Sequence, residues 1–193
     1  MTVDKLTPQD ILGFDLDGVL IDHTENKILL ASQLGFQLNP EQTRSDIIHN
    51  FIPWESAKKL KDSLYNDRRY ALSPPLMKDA NTVLAAIQNR KIEYFLISRR
   101  HVPKLAVKLM EKRGLWPKFF NETNTHFVSK REDKNTKAVE LGITRYIDDE
   151  LKVLDVLTDV KYKYLFDPFD SPVKTDPYPI INSWSEFQYL LLK

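Results

Sequence analysis

The pattern of apolar and polar positions along the chain switches between two periods. Short apolar runs predict buried strands, whereas stretches in which apolar residues recur every three or four positions predict amphipathic helices. We predict strands at residues 11–14, 92–97, 127–128, 143–147 and 162–166. Helices are predicted among and after them, at residues 78–90, 102–113, 133–141, 151–157 and 183–191. Strands that alternate with helices form βαβ units, so the pattern indicates an α/β fold with a parallel sheet covered by helices on both faces.

One stretch departs from this plan, because residues 22–72 carry only helical patterns. Helices are predicted there at residues 24–34, 40–50 and 54–65. The second begins after Asn39-Pro40, where Asn can cap the helix and Pro suits its first turn. Because the stretch lies between the first strand and the remaining ones, we predict that residues 22–72 are an inserted helical cap. The α/β core would then consist of residues 1–21 and 73–193.

The composition narrows the class of protein. The 28 Lys and Arg residues of the 193-residue chain nearly balance its 27 Asp and Glu residues. This balance argues against a nucleic-acid partner, because nucleic-acid-binding domains usually carry a strongly basic face. The absence of cysteine excludes disulfides, Cys-ligated zinc and thiol nucleophiles. No apolar run reaches the ~20 residues that cross a bilayer, and no secretory signal is visible, so we expect a cytoplasmic protein without membrane contact.

Polar side chains follow three of the predicted strands, at the point where each strand ends. Asp15 and Asp17 come after the first strand, Ser98 after the second, and Asp148-Asp149 after the fourth. Ligands bind outside the carboxyl ends of the strands in open parallel sheets, so we expect these side chains to lie close together. An Asp-Gly turn alone would also explain Asp15 to Gly18, but the later strand ends favour a functional site.

The types of residue at these ends fit phosphate chemistry. Four carboxylates at one edge of a sheet would repel one another without a cation, and oxygen ligands without cysteine suit Mg²⁺. Beside Mg²⁺, one carboxylate can attack phosphorus and a second can move protons. A Ser hydroxyl and a Lys ammonium would hold the phosphate oxygens. The lysine-rich stretch at residues 130–137 can supply the Lys.

Four motifs in this order resemble those of the haloacid dehalogenase superfamily, which is dominated by Mg²⁺-dependent phosphatases. They are Asp15-Leu16-Asp17-Gly18-Val19-Leu20, Ser98 after an apolar strand, Lys134 at the start of a helix, and the acidic pair Asp148-Asp149. The resemblance implies a Rossmann-like three-layer sandwich with a mainly parallel sheet and a small inserted helical cap. It also implies a phosphatase that acts on a phosphate monoester.

The resemblance assigns catalytic roles to four of these residues. Asp15 would be the nucleophile that forms an aspartyl-phosphate, and Asp17 would be the general acid and base. Ser98 would contact the phosphate oxygens, and Lys134 would neutralise charge on the nucleophile and the phosphate. The substrate is expected to be small, although a sugar phosphate, a nucleotide, another metabolite and a nucleic-acid end are all compatible with a helical cap.

The resemblance also implies a magnesium site. Asp15, Asp148 and Asp149 would supply ligands, with Asp149 the closer of the last two, and Asp17 would contribute its backbone carbonyl. Capping of the helix that follows residue 150 is the alternative explanation for the acidic pair, since Asp is a good N-cap.

Several assignments remain open at this point. Lys130 and Lys137 are rivals of Lys134, which we prefer because it follows Asp133, a predicted N-cap. A receiver-like domain that is phosphorylated on Asp, or another non-catalytic phosphate or metal sensor, is the alternative function.

Other residues receive no catalytic role from the sequence. Arg99 and Arg100 follow Ser98 and are also explained by a surface loop, and the segment 166–170 has no assigned role. His23 is expected to be structural. Core packing is the expectation for the aromatic residues of the predicted cap, which are Trp54, Tyr65 and Tyr70.

Overall fold

The computed structural model describes residues 5–172 and 178–192, and the parts of the predicted core at residues 1–4, 173–177 and 193 lie outside this description. Its strands are β1 (Ile11–Phe14), β2 (Glu93–Ser98), β3 (Thr125–Phe127), β4 (Arg145–Asp148), β5 (Tyr162–Phe166) and β6 (Ile180–Ile181). They form one sheet in the order β3-β2-β1-β4-β5-β6, and every neighbouring pair runs parallel. The predicted parallel sheet is confirmed. The apolar pattern misses β6, because only two residues pair there.

The described α-helices are α1 (Thr24–Gln33), α2 (Trp54–Asn66), α3 (Arg68–Ala71), α4 (Ala80–Asn89), α5 (Pro103–Lys112), α6 (Asp133–Glu140), α7 (Leu151–Val156) and α8 (Trp184–Phe187). A π-helical turn, Gln188–Leu192, follows α8 where one longer helix was predicted. None of the helices in the described ranges has the length and apolar character that would let it cross a membrane.

The sheet separates two apolar layers, as the alternation of side chains along a strand requires. On one face, Leu96 of β2 packs with residues of α4, α5 and α8. On the other face, its neighbour Ile97 packs with residues of α6 and α7. Phe14 at the end of β1 contacts Trp184, with the ring centroids 5.5 Å apart. The α/β three-layer sandwich predicted from the sequence is therefore confirmed.

Residues 22–72 contain helices and turns but no strand, as the sequence predicts, and they have their own apolar cluster. The chain leaves and re-enters the sheet region through adjacent backbone. The amide of Asp22 donates to the carbonyl of Pro75 at 3.0 Å, and the amide of Met77 donates to the carbonyl of Leu20 at 2.9 Å. Whether these residues act as a separate cap stays a prediction.

The predicted helix at residues 40–50 is wrong, because the structure has two short 3-10 turns, Pro40–Gln42 and Ile48–Asn50. Polar groups between them are used in contacts with distant parts of the chain. Lys27 Nζ donates to the carbonyl of Thr43 at 2.8 Å, and the Arg44 guanidinium pairs with Asp167. These tertiary contacts replace the hydrogen bonds of a continuous helix.

Candidate functional site

The loop after β1 turns sharply at the carboxyl edge of the sheet. Gly18 has φ +87°, a conformation that side chains disfavour. A Cβ at this position would also lie 2.2 Å from Oδ2 of Asp149. The amide of Asp15 donates to the carbonyl of Ile147 at 3.1 Å, which fixes the start of the loop against β4. The loop therefore brings Asp15 and Asp149 to the same edge.

Lys134 of α6 joins two strand ends. Its Nζ lies 2.6 Å from Oδ1 of Asp15 and 2.7 Å from Oδ2 of Asp148, and the residue is only 1% exposed. Its two rivals lie elsewhere, since Lys137 pairs with Glu140 and Lys130 is exposed. Burial alone would lower the pKa of Lys134, but the two carboxylates outweigh burial and raise it well above its ordinary value. Lys134 is therefore held as an ammonium ion.

One lysine does not neutralise the carboxylates around it. Asp15, Asp148 and Asp149 each offer an oxygen within 4.8 Å of the others, and all three residues are buried. Burial raises the pKa of Asp148 to about 7, although Lys134 opposes the change. Burial, together with the charge of Asp148, also raises the pKa of Asp149 well above its usual range. The group carries more negative charge than its described partners compensate.

This group fits a divalent cation with oxygen ligands. Asp149 packs against Gly18, where no side chain could intervene, and its carboxylate accepts no hydrogen bond from a described residue. A hard cation such as Mg²⁺ prefers carboxylate oxygens and usually keeps several waters, so a small group of three carboxylates at the edge of a cavity is suitable. Asp15, Asp148 and Asp149 are thus the residues that could hold it.

Asp17 points to different partners. Arg100 donates to it through Nε at 2.7 Å and a terminal nitrogen at 2.8 Å, and Nε2 of His23 lies 2.6 Å from Oδ1. Tyr65 packs on Arg100, whose guanidinium carbon lies 4.4 Å from the ring centroid. Burial would raise the pKa of Asp17, but Arg100 and His23 hold it far below its usual value. Asp17 is therefore an ionised carboxylate in this arrangement.

The sequence did not indicate that Arg100 and His23 contact Asp17. The available signal was position, because Arg100 lies two residues beyond Ser98 at the end of β2. Burial lowers the pKa of His23, although Asp17 opposes the change, so its ring is neutral near pH 7. Since a carboxylate can only accept, the contact places the ring proton on Nε2.

Ser98 ends β2 beneath the same cavity. The residue is fully buried, and its hydroxyl has no hydrogen-bond partner among the described residues. Buried polar atoms are normally satisfied, so an unpartnered hydroxyl in a cavity is available to a ligand.

All six predicted site residues line one cavity of about 280 Å³, and they are Asp15, Asp17, Ser98, Lys134, Asp148 and Asp149. Residues of the predicted cap, Lys61 and Tyr65 among them, close its other side. Glu150 lies at the wall, where Arg99 donates two hydrogen bonds to it at 3.0 and 2.9 Å.

Two details differ from the sequence prediction. Asp133 is the first residue of α6 and not its N-cap, because its carboxylate instead accepts from the amide of Lys130 at 2.9 Å. Trp54 is 68% exposed, so it does not pack in a core, whereas Tyr70 is buried as expected. Tyr65 packs against the apolar cluster of residues 22–72, as expected, and it also contacts Arg100 beside the cavity.

No family model matches the sequence, and no curated protein is similar to it. Solved structures do share its fold. A haloacid dehalogenase-like hydrolase from Streptococcus pneumoniae has a TM-score of 0.64 at 12% identity, covering 95% of this chain and 99% of that one. A hydrolase of the same type from Deinococcus radiodurans, solved with phosphate and sodium, has a TM-score of 0.62 at 15% identity, covering 94% of each chain. A predicted phosphoglycolate phosphatase from Haemophilus somnus has a TM-score of 0.60 at 11% identity, covering 95% of this chain and 98% of that one. The chain therefore has the haloacid dehalogenase-like fold that its motifs predict.

Proposed function

We propose that this protein is a Mg²⁺-dependent phosphatase that hydrolyses a small phosphate monoester through an aspartyl-phosphate on Asp15. One observation carries the proposal. Lys134 bridges Asp15 and Asp148 at the base of a cavity, which also contains the unpartnered hydroxyl of Ser98. A nucleophile, a cation for the developing charge and a donor for phosphate oxygens are thus in one place.

In the first step, a carboxylate oxygen of Asp15 forms a bond to phosphorus while the bond from phosphorus to the ester oxygen breaks. The electron pair of that bond leaves with the ester oxygen, which takes a proton and departs as an alcohol. Lys134 remains beside Asp15 and offsets the charge of the phosphate, and the Ser98 hydroxyl donates to one of the phosphate oxygens. Water then attacks the phosphorus of the aspartyl-phosphate and gives up a proton. The bond from phosphorus to the Asp15 oxygen breaks, inorganic phosphate leaves, and the Asp15 carboxylate is restored.

We assign the proton transfers to Asp17. This assignment requires that the contact between Asp17 and Arg100 changes during the reaction. As a carboxylate bound by Arg100, Asp17 can accept a proton but has none to give. It therefore has to be released from Arg100 and to take up a proton from water before it protonates the leaving oxygen. A phosphate group can compete for Arg100, because one terminal guanidinium nitrogen is buried in the site without a partner.

Asp15, Asp148 and Asp149 would hold Mg²⁺, with the backbone carbonyl of Asp17 as a further proposed ligand. The ion would supply positive charge that lets an anionic phosphate approach anionic Asp15. The chemistry of the donors supports this assignment, since all are oxygens and three are carboxylates. The hydrolase and phosphatase descriptions of the structural neighbours agree with the proposal.

The test compares hydrolysis of 4-nitrophenyl phosphate by the native chain and by Asp15→Asn, with and without Mg²⁺. We expect Mg²⁺-dependent turnover in the native chain and a loss of about 10³-fold or more in the variant, because the amide is a poor nucleophile. Asp10→Asn, which lies at the opposite end of β1, is the matched control and should keep its activity. Equal activity of native chain and Asp15→Asn would refute the nucleophile.

The lifetime of phosphorylated Asp15 separates the enzyme from a receiver-like sensor. A phosphatase should hydrolyse the adduct within its turnover time, whereas a sensor keeps it for minutes or longer. Quenched-flow trapping followed by mass spectrometry measures this lifetime, and a long-lived adduct would replace the phosphatase proposal with the signalling alternative.

A further inference from the structure

A second cavity opens beside the candidate phosphate site. Its volume is about 340 Å³, and it lies between α2, the turn at residues 45–49 and the start of α7. The two cavities share the side chains of Lys61, Tyr65 and Arg99 in their walls. A molecule with its phosphate in the first cavity can therefore extend into the second.

The wall formed by α2 is partly apolar. Ala57, Leu60 and Leu64 recur at the spacing of one helical face, and they line the cavity together with Ile48. All four side chains belong to the apolar cluster of residues 22–72. A dry cavity of about 150 Å³ can hold benzene, so the space here is sufficient for a planar ring with substituents.

The remaining wall carries an excess of positive charge. Lys58 and Lys61 are neighbours on α2, three residues apart, and Lys152 faces them from α7 across the cavity. None of the three has a hydrogen bond or a direct ion pair with a described residue. The carboxylates present are already engaged, since Asp46 pairs with Arg44 and Glu150 accepts from Arg99 and Arg131. The cavity is therefore suited to an additional anion.

We infer that this second cavity binds the leaving group of the substrate, and that the substrate is a phosphate monoester whose leaving group combines a planar apolar ring with a second anionic group. The inference rests on the proposed function for the position of the phosphate. The apolar side of α2 would contact the ring, and the lysines would attract the anion. A carboxylate and a second phosphate share this chemistry, and the two are separated by experiment.

The test uses two aryl phosphates with leaving groups of similar basicity, 4-ethylphenyl phosphate and 4-(carboxymethyl)phenyl phosphate. We expect kcat/KM to be about tenfold higher for the carboxymethyl ester, mainly through a lower KM, and the preference to shrink as salt is added. A nucleoside 3′,5′-bisphosphate compared with its 5′-monophosphate shows whether phosphate is the better second anion. An equal kcat/KM within both pairs would overturn the inference.

Adjacent lysines supply a matched pair of variants. Lys58→Gln should reduce the preference for the carboxymethyl ester over 4-ethylphenyl phosphate about threefold, measured as the ratio of the two kcat/KM values. Lys59→Gln removes the same charge from the next residue of α2, which is exposed and does not line the cavity, so it should change neither rate. If both variants behave alike, the cavity does not bind the anion.

Binding measurements keep this inference separate from the proposed function. In Asp15→Asn with Mg²⁺, isothermal titration calorimetry should show tighter binding of the carboxymethyl ester than of the ethyl ester. It should also show tighter binding than for 3-phosphonooxypropionate, which has the anion without the ring. Hydrolysis of both aryl esters at equal rates with equal affinities would overturn the inference and leave the phosphatase intact. Selective binding without any Mg²⁺-dependent hydrolysis would overturn the proposed phosphatase and leave the inference about the second cavity intact.

Discussion

Strands β1 and β4 have buried charged groups near both of their ends. At the amino end the buried carboxylate is fully hydrogen-bonded, whereas at the carboxyl end the negative charge is only partly compensated. At the amino end, the carboxylate of Asp10 accepts hydrogen bonds from Arg145 at 2.8 Å, from the Thr144 hydroxyl at 3.0 Å, and from the amide and hydroxyl of Thr7 at 2.8 and 3.0 Å. At the carboxyl end, two of the three carboxylates share one lysine, and the third, Asp149, receives no hydrogen bond from the described residues.

The pKa values follow this difference. Burial would raise the pKa of Asp10, but the bonds from Arg145, Thr7 and Thr144 outweigh it and lower the pKa to about 2. At the other end burial prevails, and the pKa values of Asp148 and Asp149 rise. A fully bonded buried charge stabilises the fold, whereas a group left with excess charge costs stability and is suited to a ligand of opposite charge.

The largest contrast should come from removing the lysine at the carboxyl end. Lys134→Met leaves two buried carboxylates without their cation, so we expect activity to fall about 10²-fold or more and the free energy of unfolding to fall by about 3 kcal/mol. Arg145→Met at the amino end should also destabilise the fold but keep kcat/KM in the folded fraction. Urea unfolding and a phosphatase assay on both variants measure this. Undiminished activity in Lys134→Met would contradict its place in the site.

A smaller effect, confined to activity, is expected from the hydroxyl at the end of β2. Ser98→Ala should lower kcat/KM about 10- to 100-fold while the free energy of unfolding changes by less than about 0.5 kcal/mol, since the hydroxyl has no partner to lose. Thr125→Val is the control, because this neighbouring hydroxyl is also buried and unpartnered but does not line the cavity. A similar loss of activity in both variants would mean that packing, and not phosphate contact, is responsible.

The pH dependence of stability in Asp10→Asn tests the amino end, where the buried carboxylate is fully hydrogen-bonded. Because the folded pKa is about 2 and the unfolded value is about 3.9, the stabilisation is complete above pH 4 and is lost as the pH falls towards 2. We expect the variant to be less stable by about 1–2 kcal/mol at pH 7, with a difference that narrows below pH 4. Urea unfolding at pH 7 and pH 3 measures both values, and a difference independent of pH would show that charge is not the cause.

The smallest expected change has the opposite sign. Without Mg²⁺, Asp149→Asn should raise the free energy of unfolding by about 1 kcal/mol, because a neutral amide replaces a buried carboxylate without hydrogen bonds. The stabilisation of the native chain by added Mg²⁺ should disappear in this variant. Asp148→Asn is the matched comparison and should gain less stability, since Asp148 accepts from Lys134 and from the amide of Glu150, and the NH₂ group of Asn accepts no hydrogen bond. Thermal unfolding with and without Mg²⁺ measures both changes.

The sequence predicts most of the sheet because local periodicity encodes which residues are buried. The strand ends then follow from topology, and Asp15, Ser98 and Asp148 do meet at one edge. The sequence favours Lys134 because Asp133 precedes it as a predicted N-cap. That N-cap prediction is wrong, although Lys134 does lie in the site. The phase of the helix gives a better reason, because Lys134 and Ala138 are four residues apart and both are buried on one face of α6.

What the sequence misses depends on long-range contacts that periodicity does not encode. The bond between Arg100 and Asp17 joins residues 83 positions apart, and nothing local distinguishes Arg100 from Arg99. The absence of a helix at residues 40–50 has the same origin, since Arg44 bonds to Asp167 on the far side of the chain. Propensity predicts a helix there, and tertiary hydrogen bonds override it.

The ion pair of Arg44 and Asp167 also joins residues 22–72 to the loop after β5. It is buried, with the nitrogen and oxygen 2.7 Å apart, and Ser171 donates two further bonds to Asp167. The pair fastens residues 22–72 to the loop after β5, away from the paired backbone at Asp22 and Pro75. Any swing of those helices about that backbone must first separate a desolvated ion pair. If residues 22–72 swing in this way, the ion pair to the unassigned segment 166–170 resists the movement, and a weaker pair would let the cavity open more often.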